Sequence, residues 1–517
     1  MSPSRVRYLR NSLLACAVLF IGGCTYRVVR TFVEPDEVAT LDDRSPFLKA
    51  HLASGHVYVL SSWDVDGSSI SGTGSLLDPN RGEVDTGFFT LPADSVRLFE
   101  TNVQQRTWSG TALTVMAGIT AAVAGICAAN PKTCFGSCPT YYVADEGGRP
   151  LLQAEGFSSS IAPALEATDL DMLMRARPRD RRLEVRVTNE ALETHVIRHT
   201  DILAVPKGGG DRVFVTPAGA FHETTQPGAP SRCTGSEGDC LAPLLDSDGL
   251  ERFSLADSTD LATREVIDLE FTDIPAGELG LVIQSRQTLM TTFLIYQALA
   301  YLGNEASRWL AALEDGDGAR EGAEGIGRLL GNVEVLVPAA DGSWAIAGVV
   351  GETGPLASDT KVVPLTISQG EASSPLRIRL RLTQGLWRLD RVALVGMGPE
   401  VEPVRILPTS VFRDGAADPE ALRVLADREE PLVTLPGDAY DLVYELPANP
   451  EAYEIFLEAR GYYLEWMRQE WLAEENPLAA MMLVVDPAGT LRSLAPAFKL
   501  EEPQIENLFW NSRYARN

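Results

Sequence analysis

Histidine, aspartate and cysteine are the residue types whose spacing could do chemistry in this chain. His195 and His199, in ETHVIRHT, stand four apart, the spacing of paired metal ligands on one helix face. The surrounding LEVRVTNEALETHVIRHTDILAV alternates as strands do. On a strand, four residues separate side chains by about 13 Å at ~3.3 Å per residue, so the pair cannot share an ion. Solvent-facing strand or turn histidines are therefore expected, and His51, His56 and His222 stand near no nucleophile or ligand pattern. Three Asp-x-Asp-Gly segments, at Asp64/Asp66/Gly67, Asp246/Asp248/Gly249 and Asp315/Asp317/Gly318, offer alternate carboxylates to a hard cation. None has the third ligand, the sixth-position glycine and the distal glutamate of a calcium loop, so turns are expected. There is no Gly-x-Ser-x-Gly elbow, phosphate-binding Gly-x4-Gly-Lys-Ser/Thr loop, dinucleotide fingerprint or His-Glu-x-x-His helix. Paired carboxylates are too common among 71 acids to mark a glycosidase. The expectation is no catalytic residue, no metal and no cofactor.

The seven cysteines divide by position. Cys16 lies in a segment where Arg5, Arg7 and Arg10 precede the uncharged run Ser12 to Gly23, the layout of an export signal. The apolar stretch Leu13 to Ile21 is about half of the roughly 20 residues a permanent span needs. It ends in Ile21-Gly22-Gly23-Cys24, which resembles a lipobox: small residues give a peptidase access to the backbone, and the thiol receives lipid. Residues 1–23 are thus expected to be a lipoprotein signal peptide and Cys24 an acylated N-terminus. In an exported chain close cysteines favour disulfides, and Cys233 with Cys240 encloses the polar loop Thr-Gly-Ser-Glu-Gly-Asp. Cys127, Cys134 and Cys138 allow one further bridge, with Cys134 and Cys138 as candidates. A zinc site there lacks a nearby fourth ligand.

With 44 Lys+Arg against 71 Asp+Glu, the formal charge is −27, which argues against a nucleic-acid surface. Losing the signal removes three cations and leaves −30 on a body that anionic membranes repel. At 45% hydrophobic and 22% charged, the 517 residues suit several cores. Thr111 to Ala129 is uncharged and long enough to span a bilayer, but small residues recur four apart, the spacing of close helix packing. A helix over 111–130, buried in protein or partly embedded in the membrane, is expected. Trp387 between Leu386 and Leu389 reads as core, whereas Trp344 follows a turn and is a possible ligand contact.

Residues 24–45 read as a tether. Short alternating runs from His56, divided by Asp-Gly and Asn-Arg-Gly turns, predict a small antiparallel β domain over 46–110. Beyond the apolar run an internal repeat emerges. Leu255-Ala256-Asp257 recurs as Leu425-Ala426-Asp427, Asp268-Leu269-Glu270-Phe271 as Asp441-Leu442-Val443-Tyr444, and LVIQSR ending at Arg286 as IFLEAR ending at Arg460. LEVRVTN with DILAV matches LRIRLRL with RVALV. The fold class expected is mainly β with a few helices: two duplicated β-sandwich-like modules, 131–312 and 331–475, each followed by a helix. An acidic, Gly-rich linker over 313–330 separates them, and 476–517 is a C-terminal extension.

Ser137-Cys138-Pro139 with Tyr141-Tyr142, Ala154-Glu155-Gly156, Arg186-Val187-Thr188-Asn189-Glu190 and Arg460-Gly461-Tyr462-Tyr463 together resemble a group of functionally uncharacterised bacterial envelope lipoproteins. A Trp-Asp-Gly-like turn usual in that group is replaced here by Ala144-Asp145-Glu146-Gly147-Gly148. The resemblance implies an envelope location, held by the N-terminal lipid, but no activity; Thr25 after the cysteine favours sorting to the outer membrane. The function expected is binding, scaffolding or assembly without catalysis, with an envelope protein or glycan as partner. The alternative is a carbohydrate-binding or carbohydrate-active surface lipoprotein, and the 111–129 helix is a further docking candidate.

Overall fold

The computed structural model describes residues 25–78, 83–107, 138–145, 147–208, 212–306, 309–310, 325–339, 341–351, 353–367, 375–466 and 474–510. Cys24, the apolar run over 111–130, Cys127, Cys134, and Asp315 with its turn lie outside them. The chain divides into two compact units, Met1–Cys134 and Phe135–Asn517.

The first unit is a six-stranded antiparallel sheet A. Its strands are β1 (Thr25–Val33), β2 (Leu48–His51), β3 (Val57–Asp66), β4 (Ser69–Leu77), β5 (Glu83–Pro92) and β6 (Leu98–Thr107), in the order β1-β6-β2-β3-β4-β5. Leu48, Ala50, Leu60, Ile70, Leu91 and Phe99 form its core, joined by Val38 and Ala93 from two short 3-10 turns. The tether expected over 24–45 is therefore corrected: TYRVVRTFV is a nine-residue strand paired along its length with β6. β-branched and aromatic side chains outweigh the two arginines that made the segment look soluble. Asp66 and Gly67 turn β3 into β4, with Gly67 at φ +62°, as the Asp-Gly signal predicts.

Among the described residues, the second unit holds four sheets. In chain order the strands are β7 (Thr140–Ala144), β8 (Pro150–Glu155), β9 (Ala167–Met172), β10 (Arg182–Thr188), β11 (Glu193–Pro206), β12 (Arg212–Val215), β13 (Phe221–Gly228), β14 (Arg232–Gly235), β15 (Gly238–Asp239), β16 (Arg252–Phe253), β17 (Arg264–Phe271) and β18 (Leu279–Gln287). They continue with β19 (Val333–Pro338), β20 (Trp344–Val350), β21 (Asp359–Leu365), β22 (Leu376–Thr383), β23 (Trp387–Glu400), β24 (Val404–Ile406), β25 (Ser410–Arg413), β26 (Ala416–Ala417), β27 (Leu432–Thr434), β28 (Ala439–Glu445) and β29 (Tyr453–Glu465). Sheet B has the order β26-β25-β28-β10-β7-β8, and sheet C β24-β11-β29-β9 with β27 also on β11. Sheet D runs β13-β12-β21-β18-β23-β16 and sheet E β15-β14-β17-β22-β19-β20.

Three apolar layers stack these sheets in the order B, C, D, E. Val185, Leu442 and Tyr444 of sheet B meet Ile202, Leu457 and Ala459 of sheet C. The other face of sheet C, with Leu203, Val205 and Phe456, packs on Val282, Val362 and Val395 of sheet D. Ile283, Leu389 and Leu394 of sheet D face Leu269, Ile378 and Val335 of sheet E. The burial patterns follow: outer strand β10 alternates, whereas every residue of inner strand β18 is buried.

The mainly β fold is as expected, but the tandem division into 131–312 and 331–475 is corrected. β10 pairs with β7 of its own half on one side but with β28 on the other, and β11 pairs with β29, while β17 and β18 pair with β22 and β23. Sheets B and C thus combine segments before residue 207 with segments after 403, and sheets D and E are inserted between them. The insertion leaves and rejoins at adjacent ladder positions, Ala204 opposite Val404. A repeat determines which segments are alike; it leaves open which copies pair. The Leu-Ala-Asp match is not structural: 255–257 lie in a loop, whereas 425–427 end the helix Pro419–Asp427.

Among the helices, α1 (Met290–Leu302) follows β18, and α2 (Pro419–Asp427) starts at Asp418, whose side chain accepts the Ala421 N–H. The C-terminal extension folds as α3 (Pro477–Val485) and α4 (Pro487–Trp510), and Leu491, Leu494 and Phe498 of α4 enter the D/E core.

Cys233 and Cys240 form a disulfide beneath the β14–β15 hairpin, both buried in that core, with Cα atoms 5.1 Å apart. Cross-linking so short a loop restricts the unfolded chain by about 2.5 kcal/mol. Cys233→Ala with Cys240→Ala should lower unfolding free energy by about that amount in non-reducing urea titrations. An unchanged midpoint would show that the D/E core does not depend on the bridge.

Candidate functional site

The described residues hold one cluster with the donor set of a metal or acid–base site: His199, Asp201 and Glu458, whose ligand atoms lie within 4.8 Å of one another. Period-2 alternation puts His199 and Asp201 on the same face of β11, and the register sets Glu458 of β29 opposite Asp201. His199 Nε2 lies 3.0 Å from Glu458 Oε1. Two arginines reach the same carboxylates. Arg405 of β24 donates from Nη1 to Asp201 Oδ2 at 2.6 Å and from Nη2 to Glu458 Oε2 at 2.9 Å. Arg428, the α2 C-cap in left-handed conformation, donates to Asp201 as well.

The electrostatics define what this group can do. Burial opposes the Glu458 charge, but the hydrogen bond to His199 and the Arg405 pair outweigh it and lower its pKa to about 2. A carboxylate so stabilised is a weak general base at neutral pH. Asp201 is fully buried, and the two guanidiniums balance the two carboxylates, so a divalent ion could enter only by displacing Arg405. Its other oxygen, Oδ1, makes no hydrogen bond among the described residues. The arrangement fastens β24 and the end of α2 to the central ladder of sheet C.

A second ionic group joins sheets C and D. Lys361 of β21 donates to the Leu170 carbonyl of β9 and pairs with Asp359, both at 2.6 Å. Nearby Asp171 is buried, and burial followed by the neighbouring Asp169 and Asp359 raises its carboxyl well above the ordinary range. On β23, burial likewise raises Asp390 to about 6, although it accepts the Gly249 N–H at 3.0 Å.

The strand reading of the histidines holds, but their expected exposure is corrected: both are buried, because both faces of β11 are covered. His195 Nε2 lies 3.0 Å from Glu193 Oε2, so the two histidines serve separate carboxylates. Asp248 accepts the Leu250 N–H, with Gly249 at φ +82°, in a turn. Trp387 is core, at 1% exposure. Trp344 opens edge strand β20, and the Arg379 guanidinium lies 4.3 Å over its ring. Cys138 is buried where the second unit begins.

The motifs behind the family resemblance converge on sheets B and C. Tyr142 donates its hydroxyl to Glu190 at 2.8 Å, Arg186 pairs with Asp441, and Arg460 with Glu166. Tyr463 donates to the Ser158 carbonyl at 2.9 Å. Gly461 sits beside the irregular step between Ile197 and His199, where a Cβ would stand 2.2 Å from the Val196 carbonyl oxygen. These residues do structural work. Sequence reasoning passed over Asp201, Glu458, Arg405 and Arg428; the available signal was a charge inside the apolar runs DILAV and IFLEAR. Comparison with protein-family models, curated proteins and solved structures gave no match.

Glu458 and Asp390 predict opposite pH effects. The lowered Glu458 contributes stability that is present above the ordinary carboxylate range and lost as pH falls toward 2. The urea-midpoint gap between wild type and Glu458→Gln should be full at pH 7 and shrink between about 4.5 and 2. The raised Asp390 makes folding less favourable as pH rises from about 4 toward 6, and Asp390→Asn should gain on wild type through that window. Gaps independent of pH would contradict both assignments.

Proposed function

We propose that this chain is a lipid-anchored bacterial envelope protein, sorted to the outer membrane, that serves binding, scaffolding or assembly without catalysis. The observation that carries the non-catalytic part is the arginine pairing at Asp201 and Glu458. The most complete His–carboxylate group among the described residues is committed to holding β24 and α2 in place. The anchoring part rests on Ile21-Gly22-Gly23-Cys24 after a cationic, then apolar, segment. Acyl chains on Cys24 would hold an acidic body at a surface its charge otherwise avoids.

The repeated segments support a duplicated ancestry in which the copies exchanged partners, since each β17–β18 or β28–β29 arch crosses from an outer to an inner sheet. Four stacked sheets form a stiff body suited to presenting surfaces to an envelope protein. Under the carbohydrate alternative, Trp344 would receive a sugar on the ring face that Arg379 leaves open.

A labelled fatty acid should enter the wild-type chain and not Cys24→Ser, and the variant should leave the membrane fraction. An unlabelled wild type would sink the anchoring. Crosslinked partners should co-purify with wild type and be lost from Cys24→Ser, whereas glycan binding abolished by Trp344→Ala would favour the alternative.

A further inference from the structure

The connection from β9 of sheet C to β10 of sheet B includes Arg175-Ala176-Arg177-Pro178-Arg179-Asp180-Arg181-Arg182, five arginines and one acid in a chain whose formal charge is −27. Ala176 is buried in the B/C core and fixes the segment there, whereas Arg177, Arg179, Arg181 and Arg182 are exposed and Arg175 is half-buried. Pro178 favours an extended Arg177, which sets Arg177 and Arg179 about 7 Å apart along the backbone. Arg179 and Arg182 exchange both backbone hydrogen bonds, at 3.0 and 2.9 Å, across a two-residue turn with Asp180 at φ +57°. Two arginines thereby stand directly opposite each other, a like-charge pair that costs stability. Elsewhere in the second unit arginines lie against carboxylates, as Arg186 does on Asp441 and Arg379 on Asp268, both at 2.7 Å. Here the Arg175 and Arg179 guanidiniums have no partner among the described residues, and Arg177 donates to the Met174 and Ala176 carbonyls, which leave its charge uncancelled. Arg181 stands 3.3 Å from Glu445 and Arg182 3.5 Å from Glu184, all four more than half exposed, and such exposed pairs are weak.

We propose that this turn is the binding site for an anionic envelope glycan, its guanidiniums forking onto carboxylate or phosphate groups of successive sugars. The class of partner rests on the envelope reading above; the site itself rests on the arginines. Neither core packing nor ion pairing uses the Arg177 and Arg179 side chains, and the turn would be more stable without the Arg179–Arg182 pair. An anionic ligand reverses that balance, because it places negative charge between groups that otherwise repel. Charge also selects the kind of ligand. The screening length at physiological salt is about 8 Å, so a slender polyanion lying along the turn meets the arginines and little else. An anionic membrane or a folded acidic protein presents a broad surface to the acidic body around the turn and is repelled by it.

The test titrates the full chain, purified in neutral detergent, against fluorescently labelled polygalacturonate, phosphomannan and dextran at about 0.1 M salt. At least one of the two anionic glycans should bind, dextran should not, and added salt should weaken the binding. Arg177→Gln and Arg179→Gln should each lower affinity about fivefold, the loss expected when one arginine leaves an anionic surface. Arg423→Gln, on the exposed side of α2, should leave it unchanged. Because Arg179→Gln removes the like-charge pair, its urea midpoint should equal or exceed that of wild type. Absence of binding to both anionic glycans overturns the proposal, as does binding that dextran matches or that the two turn variants leave intact. A lowered midpoint accompanying the lost affinity would assign the arginines to the turn's stability and overturn it as well. Tighter arginine-dependent binding to polyglutamate or to phosphatidylglycerol vesicles would overturn the choice of glycan. The envelope reading is checked separately by the mass of the N-terminal peptide and the fraction in which wild type is recovered. A non-acylated, cytosolic chain that still binds the glycan through these arginines would defeat that reading and leave the site standing.

Discussion

Sheets C and D have protein on both faces, and the rest of the second unit follows from that constraint. Strands without a wet face must be apolar throughout, and any charge on them must be matched where it stands. All of β18 is buried, and its first five residues, Leu279 to Ile283, meet the first demand. The second explains why Asp201 has two guanidiniums and why Lys361 reaches both an aspartate and a carbonyl of the neighbouring sheet. Arg286 on β18 is likewise paired with Glu251 and donates to the Pro355 carbonyl at 2.8 Å. Breaking such a pair leaves an uncompensated buried charge, which is costlier than never having placed the pair.

Much of the fold was legible where one face is wet. Period-2 alternation in LEVRVT and LRIRLRL identified outer strands, Asp-Gly signals located turns, and the spacing of Cys233 and Cys240 named a disulfide that the structure contains. The arches β17–β18 and β28–β29 were seen as like segments. Their partners were not, because side-chain alternation reports a strand's own environment and carries no address for its neighbour. The same limit hid β1, whose edge arginines resemble a linker's.

The candidate cluster was half legible. His199 was noticed for its spacing to His195, four residues away on the same strand, yet its real partner, Glu458, is brought beside it only by the β11–β29 register. Arg405 and Arg428 come from a three-residue strand and a helix cap, elements too short to carry a periodic signal. Residues that recur as motifs, such as Tyr463 and Gly461, are explained by a buried hydroxyl and a close backbone approach.

The nesting of D/E within B/C also has a kinetic side. Contacts such as Tyr444 to Thr200 close a loop of 244 residues, whereas the β18–β23 ladder closes a loop less than half as long, with Gln287 opposite Trp387. Once the inner pair has folded, its two ends stand close together and the remaining loop is several times shorter. That lowers the entropic cost of joining the outer pair by about 1 kcal/mol. Assembly from the middle outward is therefore the cheaper route. A chain emerging in order cannot complete its first-made strands until its last ones arrive, so the early segment must wait in an open state with strand edges that need protection.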